Sequence, residues 1–330
     1  MRIEAFSRGK DRADPAASED QFLVLPGRGY AVIDGVSDIG GQRYDGQRAG
    51  QAASRIVQHA VARFLVDPAE VEADPGRLIR YVSAELRAAG ARYGAQSAAR
   101  GESGGRFAAT LTMAVDLGGW FRFMLIGDSG LRLNGDEVMI VDSGLDRVTA
   151  SLRREAYRVV QGAGGDLDAC RQVGRACAFQ GAGALSAEMR PWLDVPGLVA
   201  LRRAALTRCR AQFPHVPEGH LERLLDRGIA GQGEYQNSAA SPLGYAVLDG
   251  SDVPMALVRV VDRPRASVHI IELFTDGYFE PGATPDVAAW EAALSEVERV
   301  DPEKIGRYAS VKGSTPETWA DDRTVLIVTL

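Results

Sequence analysis

Apolar positions along this chain follow two rhythms. Short, nearly continuous runs at residues 2–6 and 21–34 have the length and residue types of strands, separated by a polar loop that contains Ser18-Glu19-Asp20. From 47 to 66 the spacing changes: Ala49, Ala53, Ile56, Val57, Ala60, Val61, Phe64 and Leu65 recur at the period of one helix face. Pro68 and the Asp74-Pro75-Gly76 cluster close that helix and announce a second over 77–93. A loop of small residues spans 94–105. Strand character then returns at 107–116 and 120–126, around Gly118-Gly119, which predicts a hairpin. A further strand from Leu131, a turn at Asn134-Gly135 and a run at 137–141 extend it into an antiparallel meander.

The middle, about 145–233, is rich in Ala, Arg, Gly and Leu and reads as several helices with glycine-rich breaks. Strands are expected again at 244–248, 255–261 and 267–274. A helix over 285–297 follows, with Thr284 as its N-cap and Pro285 in its first position, and a strand at 325–330 closes the chain. Neither an internal repeat nor a long linker divides the sequence, so one α+β domain over 1–330 is expected.

Composition narrows the partners. The net charge is −6 and the arginines are scattered, which argues against a nucleic-acid binder. No apolar run approaches the length of a membrane span. Residues 1–14 are polar and lack the apolar core of a signal peptide, so a cytoplasmic location is expected. Cys170, Cys177 and Cys209 lack metal-type spacing and read as reduced thiols.

The candidate chemistry lies where strands begin or end. Glu19 and Asp20 precede Phe22-Leu23-Val24; Asp34 follows Val32-Ile33; Asp128 follows Leu125-Ile126; Asp276 follows Leu273-Phe274; Asp321 precedes Val325-Leu326-Ile327. Carboxylates at strand ends can converge on one edge of a sheet or sandwich. Hard divalent cations take oxygen ligands, and a pair of them can turn water into a nucleophile near neutral pH, which suits hydrolysis of phosphate esters.

The ordered set Ser18-Glu19-Asp20, Ala31-Val32-Ile33-Asp34-Gly35, Ala109-Thr110-Leu111-Thr112 with Ile126-Gly127-Asp128-Ser129, Leu273-Phe274-Thr275-Asp276-Gly277 and Asp321-Asp322-Arg323-Thr324-Val325 resembles the metal-dependent PPM/PP2C serine/threonine protein phosphatases. The resemblance covers roughly 1–145 and 240–330. It implies a four-layer αββα sandwich of two mostly antiparallel sheets flanked by helices, with 145–240 as a variable helical insertion. It implies catalysis by Asp34, Asp276 and Asp321 through a metal-activated water, with two Mg²⁺ or Mn²⁺ ions and a weaker third. Asp34 would bridge the two metals and the Gly35 carbonyl would ligate one. Glu19, supported by Asp20, would reach the second metal through water; Asp276 and Asp321 would hold the first; Asp128 would serve the third. The implied substrate is a phosphorylated protein, with neither nucleic acid nor membrane as a partner.

The chain departs from the family pattern at three positions. Pro15 stands where the family places a phosphate-binding arginine, leaving Arg12 or Lys10 as substitutes. Gly130 stands where an arginine commonly follows Gly-Asp-Ser, and Val36 where some members have a histidine. Two further readings therefore stand beside the first: a pseudophosphatase that binds without turnover, and a phosphatase of small metabolites. Asp249-Gly250 reads as a turn, and Ser129 lacks the partners of a protease nucleophile.

Overall fold

The computed structural model describes residues 1–38, 40–67, 73–94 and 107–330. The predicted breaker Pro68 and most of the predicted 94–105 loop lie outside the described residues.

In chain order the elements are β1 (Arg2–Arg8), β2 (Gln21–Leu25), β3 (Gly29–Ile33), the two-residue strands β4 (Arg43–Tyr44) and β5 (Gln47–Arg48), α1 (Ala49–Val66) and α2 (Pro75–Tyr93). There follow β6 (Leu111–Asp116), β7 (Trp120–Ile126), β8 (Gly130–Leu133) and β9 (Glu137–Met139). Four helices come next: α3 (Leu145–Gly162), α4 (Leu167–Gln180), α5 (Val195–Gln212) and α6 (Glu218–Arg227). The chain ends with β10 (Arg259–Pro264), β11 (Ile270–Phe274), α7 (Val287–Val300) and β12 (Arg323–Thr329).

Two five-stranded sheets result, ordered β1-β12-β11-β8-β9 and β10-β7-β6-β3-β2, with antiparallel neighbours throughout. Side-chain alternation explains the layers. Tyr30 and Val32 of β3 meet Leu326 and Val328 of β12 between the sheets, while Ala31 and Ile33 face α1 and α2. On the other sheet Val325 and Ile327 turn outward onto Trp290 of α7. Strands covered on both faces carry apolar residues at consecutive positions, as in Tyr30–Ile33 and Val325–Val328, which is why these runs read as continuous. This is the expected four-layer α+β sandwich. Helices α3 to α6 build a separate core of their own, including Leu152, Val173, Leu201 and Leu224.

Local capping follows the sequence at α2, where the Asp74-Pro75-Gly76 cluster opens the helix two residues earlier than predicted: Asp74 accepts from the Arg77 amide at 2.8 Å and Pro75 is the first helical residue. At α7 it does not. Asp286 is the cap, accepting from the Ala289 amide at 2.8 Å, and Thr284 instead donates its hydroxyl to Asp286. The helix begins two residues later than predicted because that carboxylate is the stronger acceptor for the free amides.

Strand expectations change at several points: the runs at 107–116 and 267–274 pair as strands only from Leu111 and Ile270, and three others differ more. The predicted meander is split: β6 and β7 pair as a hairpin, but β8 joins the other sheet, and the chain crosses at Gly127-Asp128-Ser129. Gly127, at φ +93°, makes the crossing, and a Cβ there would meet the Thr110 side chain at 2.5 Å. Residues 244–248 form bridges rather than a strand, because the Asn237 side chain takes both the Val247 amide and its carbonyl at 3.0 Å. The run at 255–261 starts late: Met255–Leu257 is a 3₁₀ turn after Pro254, and pairing with β7 begins only at Arg259.

Candidate functional site

Register brings the strand-end acids to one end of the sandwich. Val32 is opposite Thr112, and Leu111 is opposite Ile126, so Asp34, Thr110 and Gly127 emerge at one edge. On the facing sheet Phe274 is opposite both Val325 and Gly130, which brings Asp276, Asp321 and the crossing at Asp128 to the same end. Asp34, Gly35, Asp128, Asp276 and Asp321 all line one cleft of about 1210 Å³. Its opposite wall comes from the helical segment and the loops beside it, including Arg171, Arg175, Phe179 and Tyr245.

Glu19 is set apart from these. It is only 2% exposed and lies behind the cleft surface, where its Oε2 accepts from Ser37 Oγ at 2.6 Å and from Lys10 Nζ at 3.1 Å. Asp20 is equally buried. One of its oxygens accepts from Thr275 Oγ1 at 2.8 Å, and the other, Oδ1, has no hydrogen-bond partner.

Glycines fit the backbones together. A Cβ on Gly35 would lie 2.2 Å from the Gly50 carbonyl oxygen and 2.6 Å from that of Glu19. One on Gly277 would lie 1.9 Å from the Asp322 carbonyl oxygen. Gly130 is explained in the same way, since its Cβ would fall 2.4 Å from the Phe274 ring. No arginine fits there because Phe274 fills the space.

Asp322 organises the loops. It accepts from the Lys10 amide at 2.6 Å and from the Glu19 amide at 3.3 Å, fastening both loops to the start of β12. The Lys10 carbonyl in turn accepts from the Trp319 amide at 2.8 Å. Of the two candidates for the missing arginine, Lys10 has its head group among the acids, whereas Arg12 stacks on the Trp319 ring, 3.7 Å from its centroid.

The acids repel one another. Burial, then the charges of Asp276, Asp20, Asp321 and Asp128, push the Asp34 carboxyl well above its ordinary range. Asp128 is raised chiefly by burial. Asp276, exposed to the cleft, is raised by the surrounding protein and then by the charges of Asp321 and Asp128. Asp321 goes the other way: burial would raise it, but the ammoniums of Lys10 and Lys312 hold it well below the carboxylate range.

Sequence reasoning missed Lys312, Ser37 and Asp146. Lys312 Nζ lies 2.8 Å from Asp321 Oδ2, yet nothing in Lys312-Gly313-Ser314 beyond an incomplete phosphate-loop pattern marks it. Its loop is tied to the helical segment. Arg153 of α3 places Nη1 within 2.7 Å of the Glu303 carbonyl, 3.0 Å of that of Lys304 and 3.2 Å of that of Ser310. Arg171 of α4 grips the Glu303 carboxylate, with Nε 3.1 Å from each oxygen. Asp146, at the start of α3, also lines the cleft, and its carboxyl is raised by its surroundings and then by Asp128. Ser129 is fully buried, and its hydroxyl lies 3.0 Å from Thr110 Oγ1, which removes it as a nucleophile.

The donor set, hard carboxylate oxygens with the backbone of Gly35 among them, suits Mg²⁺ or Mn²⁺, and the partnerless buried Asp20 Oδ1 adds an acceptor to the cluster. Among the described residues, however, no three acidic, histidine or cysteine side chains stand close enough to hold one ion as they are. Lys10 and Lys312 lie between or against them.

Residues 11–158 match the family model described as Protein phosphatase 2C. Among solved structures, the serine/threonine phosphatase PstP/Ppp of Mycobacterium tuberculosis is 16% identical, with 100% of this chain and 98% of that one covered and a TM-score of 0.48. A PstP catalytic domain in complex with 2 manganese ions is 18% identical, at 99% and 96% coverage and a TM-score of 0.46. The phosphatase Stp1 of Staphylococcus aureus is 11% identical, at 100% and 95% coverage and a TM-score of 0.46. No curated protein matches the chain. Among the described residues no helix is long and apolar enough to cross a membrane.

Proposed function

We propose that this chain, whose residues 11–158 match the Protein phosphatase 2C family model, is a cytoplasmic, Mg²⁺- or Mn²⁺-dependent hydrolase of phosphoserine and phosphothreonine in proteins. One observation carries the reading: Asp34, Gly35, Asp128, Asp276 and Asp321, in family order along the chain, line one cleft at one end of a two-sheet sandwich.

Asp34, the Gly35 carbonyl, Asp276 and Asp321 would hold the principal ions, with Glu19 and Asp20 behind them and Asp128 beside a third. When bound, such ions supply the charge that activates water and offsets charge building on the phosphoryl oxygens.

The remaining work falls to the chain itself. Lys10 and Lys312 put two ammoniums at the floor of the cleft, where a phosphoryl group needs positive charge. Asp322 keeps Lys10 and Glu19 in place through their backbone amides. With Val36 where some members of the family have a histidine, the leaving alkoxide takes its proton from water or from the substrate itself. A cleft of about 1210 Å³ exceeds what one phosphoryl group fills and leaves room for a peptide segment around it.

The test is hydrolysis of p-nitrophenyl phosphate with Mn²⁺ by Asp34→Asn and Asp276→Asn, followed by a phosphopeptide panel beside a metabolite panel. Both variants are expected to fall to background with their folds intact. Turnover at the wild-type rate in both would overturn the assignment.

A further inference from the structure

Asp321 has both oxygens engaged by the protein's own cations. Lys10 Nζ lies 3.1 Å from Oδ1 and Lys312 Nζ lies 2.8 Å from Oδ2, while the Asp322 amide also donates to Oδ1 at 3.0 Å. Lys10 Nζ simultaneously contacts Glu19 Oε2 at 3.1 Å, Asp322 Oδ2 at 3.2 Å and Ser37 Oγ at 2.7 Å. One ammonium therefore sits among three carboxylates, the place in such a cluster where positive charge is most stabilised.

We propose that Lys10 and Lys312 are built-in counter-ions of the acidic cluster, which compete with divalent cations for Asp321 and leave it when a cation binds. This rests on the metal-dependent reading of the same site.

Three features support it. A carboxylate oxygen facing an ammonium has fewer lone pairs for a metal, so binding there requires the ammonium to move. Both lysines can move by side-chain rotation alone, because their backbones are fixed independently. Lys10 is held by its amide on Asp322 and its carbonyl on Trp319. The Lys312 loop is held by Arg153 and Arg171, and a Cβ on the adjoining Gly313 would come within 2.6 Å of the Glu303 carbonyl oxygen. Finally, both side chains border the cleft, so a displaced ammonium turns toward the space that the phosphoryl group enters. Binding of the cation and exposure of the phosphate-gripping charge thus become one event.

Calorimetric titration of the metal-stripped full chain with Mn²⁺ tests this, comparing wild type with Lys312→Met, Lys10→Met, Lys312→Arg and the remote Arg299→Met. Removing one adjacent positive charge is expected to tighten Mn²⁺ binding about tenfold in each Met variant. Lys312→Arg, which keeps the charge, and Arg299→Met are expected to bind as wild type does. Thermal melts identify a variant that fails to fold, and the other lysine then decides. Unchanged or weaker Mn²⁺ affinity in folded Met variants overturns the inference, even if the wild type hydrolyses aryl phosphates. Mn²⁺ binding without hydrolysis overturns the phosphatase reading, while the lysine comparison still stands or falls on its own affinities. Absence of Mn²⁺ binding in every variant overturns both.

Discussion

Gly35 and Gly50 touch backbone to backbone: a Cβ on Gly50 would lie 2.7 Å from the carbonyl oxygens of Gly35 and Val36 and 2.8 Å from Glu19 Oε1. The start of α1 is thereby pressed against the turn that follows Asp34. Gly50→Ala is expected to cost about 1–3 kcal/mol through overpacking, and to lower activity by shifting Gly35. By contrast Gly219, in α6 with nothing near its Cβ position, is expected to be neutral or stabilised by about 0.4–1 kcal/mol as Ala. Thermal denaturation of the two variants separates a close-packed glycine from a merely helical one.

Asp322 accepts two backbone amides from loops far away in sequence. Asp322→Ala leaves both without an acceptor and should cost about 2 kcal/mol. Asp322→Asn keeps one acceptor oxygen and should cost about half as much. Urea denaturation measures both, and equal losses would assign the effect to the charge facing Lys10 rather than to the two amides.

Arg171 and Glu303 connect the helical segment to the loop that carries Lys312. Arg171→Ala is expected to raise KM for an aryl phosphate several-fold with little change in kcat, because it loosens Lys312 without touching the acids. The exchange Arg171→Glu with Glu303→Arg should recover part of that loss. A fall in kcat alone would place the effect elsewhere.

Cys170, Cys177 and Cys209 are free and buried, and burial pushes the Cys177 thiol up to about 12. The sign follows from linkage. The folded chain keeps this proton where the unfolded thiol would lose it, so Cys177 contributes fully below the unfolded value near 9 and loses that contribution as pH rises toward 12. The native protein at pH 8 is expected to show no Cys177 reaction with a thiol reagent, and the unfolded protein a full one. Mass spectrometry of the labelled peptides reads the difference.

Much of the site was legible before folding was considered, because each acid adjoins a strand whose identity is local. Val32-Ile33 before Asp34 and Leu273-Phe274 before Asp276 announce strands that stop on carboxylates. The helices α1 and α2 were equally plain, since 3.6-residue periodicity and the Asp74-Pro75 start are written in neighbouring residues. The false strand at 244–248 shows the limit: its residues suit a strand, but the Asn237 amide took the hydrogen bonds that a ladder would have used.

The alternation of strands and helices, the acids at strand ends and the glycines that follow them are properties of short stretches and can be read from neighbouring residues. Tertiary structure alone decided that β7 and β8 belong to different sheets, that Lys10 rather than Arg12 reaches the acids, and that Lys312 meets Asp321. The physical reason is range. Lys10 is positioned by Asp322, which is 312 residues away, and the Lys312 loop by Arg153 and Arg171 on helices with a core of their own. Such pairings are set by which surfaces bury each other, and no local period records them.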